Sequence, residues 1–332
     1  MNRRDILLAG AGALAACGQA DGQGQQSSGP PFPMRRGVNL GNALEAPAEG
    51  EWGYRIERAH IAAIAEAGFD GVRLPVRWQT HFCARDQVCA DWMTRVRQVV
   101  GWALADGLMV QLNVHHYEAL IEQPARERHR FLELWRQIAE AFAQAPPALL
   151  FEPLNEPHGA YWRGDRLAAL QRDAIETIRR SNPTRTIVLG PGNWQNIDRL
   201  AHWPMPRGEN VHASVHYYEP HAFTHERAEW LGEEAPSFGR AWGTEADIAA
   251  VREHIAIAAR WSRAQNVAMQ LGEFGVNTRL PLAQRAAWTR TVREACDANA
   301  MGWCAWDFAG AFPVWDRERR AFIPEMLEAL FQ

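Results

Sequence analysis

Two acidic motifs, each placed directly after an apolar run, carry the chemistry that this sequence could perform. The run Leu149-Leu-Phe-Glu-Pro-Leu leads into Asn155-Glu156-Pro157, and the run Met269-Gln-Leu-Gly leads into Glu273-Phe-Gly. Paired carboxyl groups are what glycosidic cleavage requires, because one protonates the departing oxygen while the other attacks the anomeric carbon or activates water. Glu156 and Glu273 therefore predict such a reaction if the fold brings them together.

The elements that must position these glutamates follow a repeated pattern. Five segments, in which a helical pattern ends in Gly or Asn and a short apolar run follows, are typical of a turn from a helix into a buried strand. They are residues 66–75, 105–113, 180–189, 264–272 and 299–306. Apolar runs at 37–41, 148–154 and 211–215 bring the candidate strands to eight.

Amphipathic stretches separate most of these strands, at 55–67, 91–105, 126–145, 166–180, 244–263 and 281–298. The fifth unit is the weakest, since residues 192–207 offer only a short helix around 196–201. Short apolar strands alternating with helices indicate a parallel sheet that is buried on both faces. Eight units favour closure into a single (β/α)8 TIM barrel of the α/β class over residues 34–332. An open doubly wound sheet is the alternative, although no G-x-G-x-x-G follows the first strand.

In such a barrel the active site forms at the carboxyl ends of the strands. Besides the two glutamates, the strand ends supply polar or aromatic side chains that can converge only if the barrel closes: Asn42, Glu45, Arg73, His115, His116, His216, Tyr218 and Trp306. Glu118, Glu152 and Glu219 also stand near strand ends, but they lie outside the catalytic positions and are interpreted as secondary.

These motifs, in barrel order, resemble family 5 of the glycoside hydrolases, the largely cellulase family. The resemblance rests on Arg73-Leu-Pro, Asn113-Val-His115-His116-Tyr117, Asn155-Glu156-Pro157, His216-Tyr-Tyr218, Glu273 and Trp306, and it extends over about 36–316. The loops that begin at Gly37 and Tyr218 resemble those of its bacterial endoglucanase branch, which has some mannan-active members.

The resemblance implies a retaining double displacement through a covalent glycosyl-enzyme, without a cofactor. Glu156 matches the acid/base and Glu273 the nucleophile. Asn155 would then bind the sugar 2-hydroxyl, Arg73 would keep Glu273 ionised, and Tyr218 would hold its geometry. The histidines would contact the substrate or orient the carboxylates, Trp306 would form the floor under the reacting sugar, and Asn42 with Glu45 would reach hydroxyls on the non-reducing side.

The implied activity is endo-acting cleavage of β-1,4-glucan, of the cellulose or mixed-linkage type, with mannan, glucomannan or xyloglucan as alternative substrates. Each residue also has a structural alternative: Arg73 as an ion pair at the barrel mouth, the histidines as core groups, Trp306 as a cap on the core, and Glu45 as a solvated loop residue. A metal-dependent hydrolase is disfavoured, because the adjacent His115 and His116 diverge on a strand and no H-x-H or H-E-x-x-H stands at a strand end. A non-catalytic polysaccharide-binding barrel would not need an acid/base pair.

Composition is that of a globular protein, and its charge favours neutral or weakly polar ligands. The chain has 332 residues, 47% hydrophobic and 22% charged, with a formal net charge of -4. Without a concentrated basic surface, a nucleic-acid partner is not expected, and we expect a monomer. Among fifteen tryptophans, six stand in predicted loops and suggest stacking platforms for sugar rings: Trp52, Trp162, Trp194, Trp203, Trp230 and Trp242.

The amino terminus is predicted to direct export. Residues 1–16 combine Arg3 and Arg4, as in a twin-arginine signal, with an apolar run too short to span a bilayer. Leu14-Ala-Ala-Cys17 resembles a bacterial lipobox, so that Cys17 would be lipidated and would anchor a flexible tether at 17–33 in the membrane. An ordinary secretory signal is the alternative. In an oxidising compartment Cys83 and Cys89 could form a local disulfide, while Cys296 and Cys304 are expected to be buried thiols.

Overall fold

The predicted strands close into one parallel barrel in the computed structural model, which describes residues 30–232 and 237–332. Each strand pairs in parallel with its neighbours in the chain, and the last pairs with the first. The TIM barrel prediction is therefore confirmed. The strands are β1 Arg36–Asn39, β2 Gly71–Leu74, β3 Met109–Asn113, β4 Leu149–Glu152, β5 Ile187–Leu189, β6 Val211–His216, β7 Met269–Glu273 and β8 Gly302–Ala305.

Long helices form the outer layer, and six of them occupy the predicted amphipathic stretches. In the fifth unit a 3-10 helix, Ile197–His202, stands where a short helix was predicted. The carboxyl-terminal helix was not predicted, and its Phe331 packs edge-on against Phe69. The long helices are α1 Arg58–Glu66, α2 Ala90–Ala105, α3 Pro124–Ala141, α4 Asp165–Arg179, α5 Glu245–Gln265, α6 Leu282–Ala298 and α7 Pro324–Phe331.

The turns from helix to strand use the residues that made them recognisable. Gly68 follows α1 with φ at 94°, and Asn266 ends α5 in the left-handed conformation with φ at 50°. Glycine and asparagine tolerate this conformation, which lets the chain leave the helix and enter the next strand. At its other end α5 begins with a capping box between Thr244 and Asp247.

Side chains inside the barrel change from apolar to polar along the strands. A cluster at the amino-terminal end includes Phe32, Met34 and Leu150, all buried. Gly71 allows this closure, because a Cβ there would overlap the Met34 side chain. Toward the carboxyl end the interior is lined by fully buried polar groups, which are Asn39, Arg73, Gln111, Glu152 and Gln270.

Cys83 and Cys89 are joined by a disulfide next to a small hairpin of Phe82–Ala84 and Gln87–Val88. Cys296 and Cys304 are buried free thiols, as expected. The signal sequence, Cys17 and most of the tether lie outside the described residues. Among the helices of the described part, none is long and apolar enough to cross a membrane.

Candidate active site

Glu156 and Glu273 meet at the carboxyl end of the barrel, as their strand positions require. One oxygen of each carboxyl group and one ring nitrogen of His216 all lie within 4.8 Å of one another. Glu273 is the last residue of β7 and His216 the last of β6, whereas Glu156 stands four residues beyond the end of β4. Closure of the barrel thus brings together residues that are far apart in the chain.

Glu273 accepts hydrogen bonds that favour its ionised form. Nη1 of Arg73 lies 2.5 Å from Oε1, and the hydroxyl of Tyr218 donates to Oε2 at 2.9 Å. Burial raises the pKa of Glu273, while the positive charge of Arg73 opposes that rise. Its side chain is held from two sides, which suits an attacking carboxylate.

Glu156 has a different environment. Its side chain is 26% exposed, and His216 Nδ1 lies 2.8 Å from Oε1. Burial raises the pKa of Glu156 to about 7, and burial lowers the pKa of His216 to about 4. Near neutral pH a neutral imidazole therefore faces a carboxyl group that can hold a proton. Such a group suits the transfer of a proton to a leaving oxygen and back.

The backbone at Glu156 is shaped to present the side chain. Its φ is 46°, in the left-handed region, and its N–H donates to Oε1 of the buried Gln195 at 2.9 Å. Gln195 follows Asn193 and Trp194, and all three have positive φ. This hydrogen bond fixes the turn after β4 to the loop after β5.

Arg73 is completely buried and contacts more than the nucleophile. It donates to Glu152, Asn39 and Asn155 as well as to Glu273. The Asn155 side-chain amide also lies 3.5 Å from His115 Nε2. Asn155 is thereby fixed between Arg73 and His115, directly before Glu156 in the chain.

Aromatic rings continue the site on the side of the third and eighth strands. Trp306 is partly exposed and stacks on His115, with ring centroids 5.4 Å apart and planes 5° apart. His116 is partly exposed and meets the ring of Trp52 edge-on. A cavity of about 290 Å³ extends from these histidines past Asn155 and Glu156 to Trp194.

The expectation that Glu45 reaches sugar hydroxyls is wrong for this structure. Its side chain is buried, and both carboxyl oxygens accept from backbone N–H groups, those of Asn42 and Ala43. Burial raises the pKa of Glu45 to about 8. Glu45 thus holds the loop that carries the partly exposed Asn42.

Two acidic residues at the site were missed or set aside by the sequence analysis. Asp307 follows Trp306, is fully buried, and accepts from the Gly310 N–H. Burial raises the pKa of Asp307 to about 7. Glu152 faces the barrel interior beneath Arg73. Residue alternation was the available signal for Glu152, since it lies two positions after the inward-facing Leu150 on a strand.

The six loop tryptophans differ in how far their side chains are exposed to solvent. Trp162 and Trp203 are buried, and Trp242 is only partly exposed, so the platform interpretation was wrong for the first two. Trp162 packs in the core instead. The exposed ones, Trp52, Trp194 and Trp230, each contact a histidine ring: His116, His158 and His225 respectively.

Glu156, His216 and Glu273 also form a donor set of the kind that can hold a metal ion. The Arg73 guanidinium, however, lies 2.5 Å from Glu273 Oε1 and already supplies the positive charge at that carboxylate. A divalent cation beside it would meet electrostatic repulsion. The arrangement fits an acid/base pair better than a metal centre.

Comparison with known proteins agrees with this geometry. A family model described as cellulase (glycosyl hydrolase family 5) matches residues 28–311. Endoglucanase H of Acetivibrio thermocellus is 32% identical over 314 residues, which cover 91% of this chain and 33% of that protein. Cel5A of Thermotoga maritima, solved with cellobiose, is 37% identical with a TM-score of 0.86, covering 90% of this chain and 97% of that one. The same enzyme was solved with mannotriose, at 36% identity and the same TM-score and coverage. The chain thus spans about a third of the length of the first of these relatives.

Proposed function

Since the chain belongs to glycosyl hydrolase family 5, we propose that it is a retaining, endo-acting hydrolase of β-1,4-linked glucan. The observation that carries the mechanism is the approach of Glu156 and Glu273 to within 4.8 Å, oxygen to oxygen. Retaining enzymes separate their carboxyl groups by about 5 to 5.5 Å, whereas inverting enzymes need about 6.5 to 9.5 Å to admit a water molecule. The short separation supports direct attack by a carboxylate.

In the first step Glu273 attacks the anomeric carbon, and Glu156 donates its proton to the glycosidic oxygen as that bond breaks. The products are a glycosyl ester on Glu273 and a shortened glucan with a free hydroxyl. In the second step the Glu156 carboxylate removes a proton from water, which attacks the anomeric carbon and releases Glu273. Two inversions give net retention.

The hydrogen bonds at each glutamate support this division of roles. Glu273 accepts from Arg73 and Tyr218, which stabilise a carboxylate, whereas among the described residues the close side-chain partner of Glu156 is the neutral His216. Asn155, held by Arg73 and His115, is placed to donate to the 2-hydroxyl of the reacting sugar, an interaction that strengthens in the transition state.

An endo-acting enzyme needs an open binding surface for several sugar units. Exposed indole rings stand on loops that follow three different strands: Trp52 after β1, Trp194 after β5 and Trp230 after β6. Flat aromatic faces pack on the apolar faces of pyranose rings. Their distribution around the mouth supports a polymeric substrate.

β-1,4-Glucan is the first candidate substrate, because relatives at 31–32% identity are named as an endoglucanase and a cellulase/esterase. A β-1,4-mannan or glucomannan is the second candidate, favoured by the mannotriose complex of Thermotoga maritima Cel5A. Xyloglucan fits the same open surface.

The test compares cleavage of carboxymethyl cellulose, barley β-glucan, glucomannan, xyloglucan and xylan. We expect the highest kcat/KM on the two glucans, a rapid loss of viscosity per reducing end formed, and a β-configured product by proton NMR. Glu156→Gln and Glu273→Gln should each lower kcat by about 100-fold or more. Glu219→Gln, an exposed glutamate after β6, is the matched control and should retain activity. An α-configured first product would contradict retention, and preference for glucomannan would select the second substrate.

We also propose that the protein is exported and anchored through Cys17. The signal and lipobox at 1–17 support this proposal, and the Cys83–Cys89 disulfide agrees with an oxidising compartment.

A further inference from the structure

Glu152, the last residue of β4, accepts two hydrogen bonds from the Arg73 guanidinium. We propose that Glu152 is a positioning residue, which fixes the Arg73 guanidinium so that it aims at Glu273 and Asn155, and which balances its charge while Glu273 carries the sugar. This inference rests on the proposed function, because it concerns the covalent intermediate of that reaction.

Glu152 occupies one complete edge of the Arg73 guanidinium. Arg73 Nε donates to Glu152 Oε2 at 2.7 Å, and Nη2 donates to Oε1 at 2.9 Å. The three other N–H groups point to Asn39 at 2.9 Å, Asn155 at 2.6 Å and Glu273 at 2.5 Å. All five donors of the arginine are therefore used. A bidentate carboxylate fixes the plane of the fork and so the direction of every remaining N–H.

Glu152 is itself held from below. Its Oε2 also accepts from Gln111 Nε2 at 2.9 Å, and Gln270 Nε2 in turn donates to Gln111 Oε1 at 2.7 Å. Asn113 Nδ2 lies 3.4 Å from the same Oε2. Glu152 is fully buried, and the side-chain amides of Gln111 and Asn113 both donate to it. Although burial alone would raise the pKa of Glu152, Arg73 holds it below its ordinary value. The lowered pKa and the hydrogen bonds that both oxygens accept favour the ionised form of Glu152.

Glu152 also balances the charge of Arg73 during the reaction. In the resting site two carboxylates, Glu152 and Glu273, share one guanidinium. Esterification removes the charge of Glu273, and Glu152 then forms a neutral pair with Arg73. Without Glu152 the ester would lie against an uncompensated buried cation. As the ester breaks, positive charge builds on the sugar, which an unpaired cation destabilises, and negative charge returns to Glu273, which a correctly aimed Arg73 stabilises. Glu152 serves both effects, because it neutralises the guanidinium and fixes its direction.

Charged and titratable groups face Glu273 from the carboxyl ends of three other strands, β2, β4 and β6: Arg73, Glu156, His216 and Tyr218. Burial is the main cause that raises the pKa of Glu156, and the negative charge of Glu152, which lies behind Arg73, adds to that rise. Removing that charge should lower the pKa of Glu156, and leaving Arg73 to Glu273 alone should lower the pKa of Glu273. In the profile of kcat/KM against pH, Glu273 sets the acidic limb and Glu156 the alkaline limb. Both limbs should therefore move to lower pH.

The experiment measures kcat/KM against pH on an aryl β-cellobioside for the full chain and for Glu152→Gln. We expect both limbs to shift down by about one pH unit. With a 2-deoxy-2-fluoro cellobioside, which forms the ester without the 2-hydroxyl contact of Asn155, release from the ester should slow by about tenfold or more. The matched control is Glu127→Gln, since Glu127 is also buried and lies 3.5 Å from an arginine, Arg130, outside the site. It should leave both limbs and the release rate unchanged.

Unshifted limbs with an unchanged release rate would overturn the inference, even if kcat fell through general loss of structure. If Glu152→Gln does not fold, Glu152→Asp is the second variant. It keeps the negative charge, but its shorter side chain moves the carboxylate oxygens away from Arg73. Its limbs should stay near those of the parent while kcat falls, and a parental kcat would overturn the positioning role. A parent chain that cleaves no β-glycan would instead contradict the proposed function itself.

Discussion

Tyr218→Phe tests how the nucleophile is kept ionised. The phenol donates to Glu273 Oε2 at 2.9 Å, and His216 Nδ1 lies 3.6 Å from the same oxygen. Removing only the hydroxyl leaves the ring, which packs edge-on against Phe312 and His225. The perturbation is thus confined to one hydrogen bond of the carboxylate.

The magnitude follows from that bond. A hydrogen bond to a charged group contributes about 1.5–3 kcal/mol. One pKa unit corresponds to about 1.36 kcal/mol. Because the hydroxyl stabilises the ionised form, its loss should raise the pKa of Glu273 by about one to two units. The acidic limb of kcat/KM, below which Glu273 is protonated, should rise by the same amount, while the alkaline limb set by Glu156 should stay within about half a unit.

The assay is the pH dependence of kcat/KM on a soluble β-glucan oligosaccharide, compared with Tyr217→Phe. Tyr217 is the neighbouring tyrosine, buried against Trp288 and His254. Its variant should keep both limbs of the profile. An acidic limb that does not move in Tyr218→Phe, or moves down, would refute the assignment of Glu273 as the carboxylate held by Arg73 and Tyr218.

Three other predictions concern binding, stability and export. Trp194→Ala should raise KM for long oligosaccharides by about 3- to 10-fold with little loss of stability, because the indole is 52% exposed; calorimetry showing an unchanged affinity would contradict this. Arg185→Met should lower the free energy of unfolding by about 3–5 kcal/mol, since Arg185 donates to four backbone carbonyls around 142–149; a loss below about 1 kcal/mol in urea unfolding would show that water replaces it. Cys17→Ala should abolish incorporation of labelled fatty acid in a bacterial host, and labelling that persists would exclude Cys17 as the modified residue.

The fold could be predicted because its signals are local and repeated. Gly68 and Asn266 mark helix ends by their left-handed backbone, and each is followed by an apolar strand. The carboxyl-terminal helix α7 was missed because no strand follows it, so the repeat that identified the other helices does not extend to it. The small hairpins were missed for a similar reason, since two- and three-residue strands carry too little periodicity.

The residues at the strand ends were easier to name than to interpret. Trp162 and Trp194 both lie in loops, yet one is buried and the other half exposed. The path of the neighbouring loops decides which of the two indoles is covered, and this path cannot be predicted from residue types alone. Glu45 shows the same limit, because its carboxylate turns back to the N–H groups of Asn42 and Ala43. The position of a loop glutamate in the sequence does not decide whether its side chain faces solvent, substrate or its own backbone.

Arg73 was expected beside Glu273, and the structure places it there together with Glu152. A fully buried guanidinium has five donors, and one carboxylate cannot satisfy them. Tyr218 and Glu152 act on the pKa of Glu273 in opposite directions. Loss of the Tyr218 hydroxyl should move the acidic limb up, whereas loss of the Glu152 charge should move it down. General loosening of the barrel mouth could not produce both shifts, so the pair of variants separates an electrostatic role of this network from a merely structural one.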